Sequence, residues 1–188
     1  MEIGFIYYPV NTLGPGKRIG IWTQGCFRDC KNCMSHDLRA IDHSKNRDVP
    51  SIIKEIKGIM ANNQVDGITI SGGEPFMQED LIDLLIELSD LGFEDIILYT
   101  GYKIEELSEE QKDVLAYLSI IIDGEYIDEL NDNKPLRGSS NQRVFIVNPK
   151  YKDLYNEYLK GPRVFEYIPE DGFVRIIGMY PKGYKQNN

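Results

Sequence analysis

The sequence predicts an α/β fold built on a mostly parallel sheet. Three observations predict it. Short β-branched runs alternate with amphipathic helical patterns along the first 150 residues; several of the strand-like runs close on a glycine; and 188 residues suffice for a single packed core. Such sheets gather their ligands at the carboxyl ends of the strands, so the residues just after each run are the ones to inspect.

The elements follow in order. "RIGIWTQ" (18–24) and "GITIS" (67–71) read as strands, as do "EDIILYT" (94–100), "LSIIIDG" (118–124) and "RVFIV" (143–147). The helical pattern "PSIIKEIKGIMANN" (50–63) opens on a first-turn proline and sets Ile52, Ile53, Ile56, Ile59 and Met60 on one stripe. "QEDLIDLLIELSDLG" (78–92) is acidic in its first turn and stops at a glycine, and "IEELSEEQKDVLAYL" (104–118) reads as a third helix. The stretch 123–142 is polar and without period, which marks a functional loop. Beyond Tyr151 the pattern gives a short helix, "KDLYNEYLKG", then a hairpin of "RVFEYI" and "FVRIIGMY" around "PEDG", then a frayed tail, "PKGYKQNN". No internal repeat divides the chain, which is read as one domain.

Composition narrows the function classes. With 21 Lys and Arg against 30 Asp and Glu the net charge is −9, so the chain lacks the basic footprint of a nucleic-acid binder. No run approaches the ~20 apolar residues of a membrane span, and the apolar start "MEIGFIYYPV" has neither a basic leader nor a small-residue cleavage site; a cytoplasmic address is the expectation.

All three cysteines lie in "GCFRDCKNC" (25–33), spaced C-x3-C-x2-C. A disulfide framework would close only tiny loops and leave one thiol over. Three chemistries remain: a zinc site completed by His36 or His43, a redox or free-thiol role, or an iron–sulfur cluster. A four-iron cubane held by three thiolates leaves one iron for a ligand from outside the chain, and an open metal position is where reaction occurs. "TISGGEP" (69–75) follows a strand directly. Its glycines let a ligand approach the backbone, and Glu74 is suited to accept from an ammonium group; alone, a strand ending in two glycines is a turn.

C-x3-C-x2-C followed some forty residues later by this stretch resembles the radical S-adenosylmethionine (SAM) superfamily. "LGPGKR" (13–18), "LYTGY" (98–102), "IIDGEY" (121–126) and "RGSSNQR" (137–143) are similar, in order, to the activating protein of anaerobic (class III) ribonucleotide reductase, over about Asn11 to Val147. The resemblance implies an incomplete, open (β/α) barrel as a radical SAM core over 1–148, with 149–188 as an extension packed on it. It implies a [4Fe–4S] cluster on Cys26, Cys30 and Cys33, and SAM held at its amino group by Ser71, Gly72, Gly73 and Glu74. Tyr99, Thr100 and Asp123 would approach the ribose or methionine part. Reductive cleavage of SAM would give a 5′-deoxyadenosyl radical that takes a hydrogen from a glycine of a partner reductase. A flavodoxin- or ferredoxin-type electron donor and anaerobic or microaerobic life are implied as well.

Plainer readings stand beside these. Asp123-Gly124 is a turn, "RGSSNQR" a solvated loop or a row of donors for a carboxylate or a partner backbone, Trp22 core, and Met34 a gap-filler or a contact to adenine. His36 and His43 read as surface residues. Asn32 stands where many radical SAM proteins carry an aromatic, "MSHDLR" departs from the usual residues after the third cysteine, and the resemblance does not account for 149–188. The same chemistry on another peptide or metabolite, and a non-catalytic zinc or iron–sulfur module, are the alternatives.

Overall fold

The computed structural model describes residues 1–170 and 172–183. Six strands form one sheet in the order of the sequence: β1 (Ile3–Val10), β2 (Arg18–Thr23), β3 (Gly67–Gly72), β4 (Ile96–Tyr99), β5 (Ile120–Asp123) and β6 (Arg143–Ile146). Strands β2 to β5 run parallel, while β1 and β6 pair antiparallel at the two edges, so the sheet is mixed, mostly parallel and not closed. Sequential order with right-handed crossovers puts the connecting helices on one face.

That face is made by α1 (Val49–Met60) and α2 (Leu81–Asp90). The Asp48 side chain caps α1 by accepting from Ser51 N–H at 2.9 Å, and Pro50 occupies the first turn. Ile52, Ile53 and Ile56 of α1, with Leu84, Leu85 and Leu88 of α2, pack on Ile19, Ile21, Ile68, Ile70, Ile96, Leu98 and Ile121. The two-residue period of the strands turns Trp22, Ile97, Tyr99, Ile120 and Ile122 to the opposite face. Tyr155 of α4 (Lys152–Tyr158) covers them there, together with Ile168 of β7 (Phe165–Glu170) and Ile177 of β8 (Phe173–Gly178).

A buried polar cluster ties that C-terminal segment to the sheet. Arg18, fully buried, spends all five donors: on Thr69 Oγ1 (2.8 Å), Asp95 Oδ2 (2.7 Å) and the carbonyls of Pro15, Ile68 and Asp95. The other Asp95 oxygen accepts from Ser119 Oγ and from Tyr155 Oη, each at 2.5 Å.

The structure departs from the sequence expectation in two elements. β1 is a strand that the apolar N-terminus had not been assigned. The third helix, expected over 104–118, is instead a 3-10 turn (Ile104–Glu106), a one-turn α3 (Glu109–Lys112) and a second 3-10 segment (Asp113–Tyr117). Ser108 explains the break: its side chain accepts from Gln111 N–H while Gln111 returns to Ser108 N–H, a capping box that starts a helix in the middle of the apolar period. The expected hairpin is present as β7 and β8. Asp171 of its turn, and 184–188 of the expected tail, lie outside the described residues.

Candidate functional site

β2 ends at Thr23 and runs straight into the cysteine loop. Two backbone bonds close that loop at its stem, Gly25 N–H to Leu38 O (2.8 Å) and Cys26 N–H to Arg39 O (2.9 Å). At its tip Cys33 N–H donates to Cys30 O at 3.2 Å, with Asn32 in the left-handed region at φ 55°. β3 lies alongside β2, so its end meets the same stem: Gly73 N–H donates to Thr23 O and Glu74 N–H to Gly25 O, both at 2.8 Å. A Cβ on Gly72 would stand 2.4 Å from Thr23 N and O, and one on Gly73 would stand 2.1 Å from Gly25 O. The backbone these glycines admit is therefore the chain's own, the end of β2 at Gly72 and the stem of the cysteine loop at Gly73, a closer constraint than the approach of a ligand.

β4 supplies the next layer. The Glu74 carboxylate, 1% exposed, accepts from Thr100 Oγ1 (2.8 Å) and Phe76 N–H (3.1 Å) on Oε1 and from Gly101 N–H (2.8 Å) on Oε2. Burial pushes its pKa up, and the three donors with the nearby Arg28 charge act against that push. A carboxylate has about four acceptor positions, so about one remains for an outside donor.

One cleft gathers nine of the ten residues named from the sequence: Cys26, Cys30, Cys33, Ser71, Gly72, Gly73, Glu74, Tyr99 and Thr100. Asp123 does not border it. Its carboxylate accepts from Ile104 N–H (2.9 Å) and from the Arg143 guanidinium, and what reaches the cleft at that strand end is Gly124. The cleft also takes Arg28, Arg39, Met34, Gly101, Tyr126, Gln142 and Met179, which sequence reasoning did not assign to it, apart from Met34 as a contact to adenine. Arg28, a cation between two cysteines, was a usable signal. Met179 arrives from β8 across the fold and had none.

In "RGSSNQR", Gly138, Ser139 and Gln142 are buried while Ser140 and Asn141 are exposed. Gln142 accepts from Gly138 and Ser139 N–H (2.8 and 3.2 Å) and donates to Gly124 O (2.9 Å), Ser139 Oγ accepts from Ile127 N–H (3.1 Å), and Asn141 donates to Glu125 O (2.7 Å). These bonds hold the 124–131 loop against the cysteine loop, where Asn32 reaches Asp128 and Lys31 reaches Glu129, each at 2.7 Å. The stretch spends its donors on scaffolding.

The three thiols are free. Burial raises the pKa of each, that of Cys30 to about 11, where the neighbouring Cys33 and Glu125 add to the shift. Neutral thiols at physiological pH must release protons when a metal binds. Among the described residues no three His, Cys, Asp or Glu side chains converge on a single-ion geometry. The thiols are arranged around a hollow instead, and neither histidine borders it; His43 pairs with Glu2 at 2.5 Å. Two guanidinium Nε atoms at this cleft, of Arg28 and Arg39, are buried with no partner among the described residues. A soft all-thiolate donor set bordering one hollow, with cations beside it, fits an anionic iron–sulfur cluster.

Comparison with known proteins agrees with that donor set. The chain matches the family described as a 4Fe-4S single cluster domain over residues 12–145. It is 31% identical over 147 residues to the anaerobic ribonucleoside-triphosphate reductase-activating protein of Escherichia coli K12, covering 73% of this chain and 94% of the relative. The protein of the same name from enterobacteria phage T4 is 31% identical over 145 residues, covering 73% and 90%. A Methanocaldococcus jannaschii protein named as a glycyl-radical enzyme activating enzyme is 32% identical over 150 residues, covering 78% of this chain and 55% of that one. The chain belongs to the 4Fe-4S single cluster domain family and to that of the anaerobic ribonucleoside-triphosphate reductase-activating proteins.

Proposed function

We propose that this protein is a radical SAM activase that places a glycyl radical on an anaerobic ribonucleotide reductase-like partner. The observation that carries the reading is the single cleft in which Cys26, Cys30 and Cys33 face Ser71 to Glu74 across two backbone hydrogen bonds, in a chain of this family. A [4Fe–4S] cluster together with SAM would supply one-electron reductive chemistry and, from it, the hydrogen abstraction from a glycine.

The chain's own residues bind, orient and exclude. Cys26, Cys30 and Cys33 would hold the cluster, and the sequence has no fourth cysteine to complete it. Glu74, fixed by Thr100, Phe76 and Gly101, offers its remaining acceptor position to the SAM ammonium. Ser71 and the glycines border the cleft at the strand end, and Tyr99, whose buried hydroxyl has no partner among the described residues, lines it next to them. Loop 124–131, pinned by Gln142 and Asn141, shields the cysteines from water. Asp123 acts on this reading through Arg143 and the 103–105 turn, as a support for the strand end.

The remaining expectations belong to the same proposal. The sheet is the wall of an incomplete (β/α) barrel; residues 1–148 form the core and 149–188 the extension packed on it; a low-potential donor of the flavodoxin or ferredoxin type reduces the cluster; and the protein works in an anaerobic cytoplasm. Among the described residues no helix is long and apolar enough to cross a membrane. Anaerobic reconstitution tests the reading: iron and sulfide load near four per chain, SAM with reductant yields 5′-deoxyadenosine, and alanine at Cys26, Cys30 or Cys33 abolishes both. A chain that takes up zinc alone, or loads iron but leaves SAM intact under reduction, would remove it. With a partner reductase present, spin resonance of a carbon-centred glycyl radical identifies the acceptor.

A further inference from the structure

Arg28 and Arg39 approach the thiols from two directions. The carbonyl of Arg39 accepts from Cys26 N–H at 2.9 Å, which anchors its backbone to the first cysteine, and its charge acts on the thiols of both Cys26 and Cys33. Arg28 comes from within the loop. Its guanidinium carbon lies 5.1 Å from the centroid of the Phe27 ring and 5.0 Å from that of Tyr102, and its charge acts on Cys26 and Glu74. The ends of both side chains are anchored: Arg39 Nη2 to Asp29 at 2.5 Å, and Arg28 more loosely to Glu106 and Glu125 at 3.9 and 3.8 Å. Each keeps one buried Nε–H without a partner among the described residues.

A buried donor left without an acceptor is destabilising, and here two guanidinium groups carry one at the same cleft, in a chain of net charge −9. Acceptors of matching charge would relieve both. We propose that Arg28 and Arg39 are the counter-charges of the cluster, their Nε–H groups directed to its thiolate and sulfide sulfurs, and that together they raise its reduction potential. The inference rests on the cluster assignment made above. Reduction of [4Fe–4S]2+ to [4Fe–4S]+ takes one electron from a low-potential one-electron donor, dithionite in the assay, with no bond made or broken and no proton gained. It adds a negative charge to a group that three thiolates have already made anionic. Adjacent cations and hydrogen bonds to sulfur favour the more negative state, which is how a protein tunes such a potential.

The test is a redox titration of the reconstituted holoprotein, followed by the spin-resonance signal of the reduced cluster. The midpoint is read from the loaded fraction alone. Arg28→Gln and Arg39→Gln should each shift it to more negative potential, by up to a tenfold lower ratio of reduced to oxidised cluster at the wild-type midpoint, equal to about 59 mV for one electron. Arg39→Lys, which keeps the charge but lacks the Nε–H, should fall between wild type and Arg39→Gln. A purely structural role would lower thermal stability and leave the midpoint in place. Wild-type midpoints in both glutamine variants overturn the proposal; if Arg39→Gln takes up no cluster, a wild-type midpoint in Arg39→Lys overturns the Arg39 assignment. A wild-type protein that loads no four-iron cluster, seen beforehand in its iron and sulfide content, refutes the proposed function instead.

Discussion

Gly73→Ala tests how the site is built. Gly73 does not have a positive φ, so alanine there carries no backbone strain of its own and the cost is contact alone. The added Cβ would stand 2.1 Å from the carbonyl oxygen of Gly25, against a limit near 3.0 Å for real contacts. Neither partner is a flexible side chain: both are backbone, so the two segments must part by about 1 Å. The bonds Gly73 N–H to Thr23 O and Glu74 N–H to Gly25 O, both 2.8 Å, then pass out of hydrogen-bonding range. Two net hydrogen bonds at about 0.5–1.5 kcal/mol each, with about 1–3 kcal/mol for overpacking, give a loss of about 2–6 kcal/mol. Against a typical domain stability of about 5–15 kcal/mol the chain remains folded at low temperature, with the cysteine loop displaced from Glu74. Urea unfolding of the metal-free protein measures the first effect, and iron content after anaerobic reconstitution measures the second. Gly58→Ala is the control: nothing lies within 4 Å of its Cβ position in α1, and alanine there should stabilise by about 0.5–1 kcal/mol. A Gly73→Ala protein with a wild-type urea midpoint and full iron content would refute the reasoning.

Thr100→Val removes one of three donors to the buried Glu74 carboxylate and strands Tyr102 N–H, which donates to Thr100 Oγ1 at 3.1 Å; unfolding free energy should fall by about 1.5–3 kcal/mol and, on the proposed function, the affinity for SAM with it, as calorimetric titration would show. Tyr155 has its hydroxyl pKa pushed well up by burial and by Asp95, so its neutral form is favoured in the folded state. The stability it contributes is intact below the unfolded tyrosine pKa of about 10 and is lost as pH rises above it; Tyr155→Phe should flatten the decline of thermal stability on that alkaline side, and an unchanged slope would count against the burial argument. Truncation after Asn148 uncovers the sheet face that holds Trp22 and Ile97 by removing the buried Tyr155, Ile168 and Ile177. At about 1.5–3 kcal/mol for each apolar side chain the product should lose much of its stability and bind a hydrophobic dye, whereas a wild-type denaturation midpoint would show the segment to be dispensable.

The strands were legible because their signal is local: β-branched runs such as "GITIS" with a glycine at the end need no tertiary information. α1 and α2 carried both a period and caps. The third helix was misjudged because the apolar period was read and the capping box at Ser108 was not, although S-x-x-Q stands plainly in "SEEQ". β1 is almost wholly apolar, with no alternation to read, and sits at a sheet edge, where period and propensity are weaker guides. At the site, the cysteines and the Gly-Gly-Glu stretch were singled out by their spacing, and the structure brings both to one cleft. The reason given for the glycines was incomplete, since the constraint is set by a backbone some fifty residues away. Met179 and the scaffold of Gln142 were illegible for the same cause: both depend on which distant loop they meet.

The geometry between the two halves of the site is set by main chain. Gly25 and Glu74 share a backbone hydrogen bond, and Cys26 follows the one while the carboxylate extends from the other. A change of side chain in the core can alter stability without altering that spacing, because the parallel register of β2 and β3 carries it: Trp22 opposite Ser71, Thr23 opposite Gly72. The carboxylate itself has little freedom, since Phe76 and Gly101 are also main-chain donors and only Thr100 acts through a side chain. An ammonium group that takes the remaining acceptor position is therefore placed relative to the thiols by the sheet. Reaction at a cluster requires reacting groups held at a fixed separation, and effective molarity falls steeply with misplacement of about 1 Å. The two glycines serve that requirement: they let the strand end and the cysteine loop come into direct contact, where any larger residue would set the spacing by its own bulk.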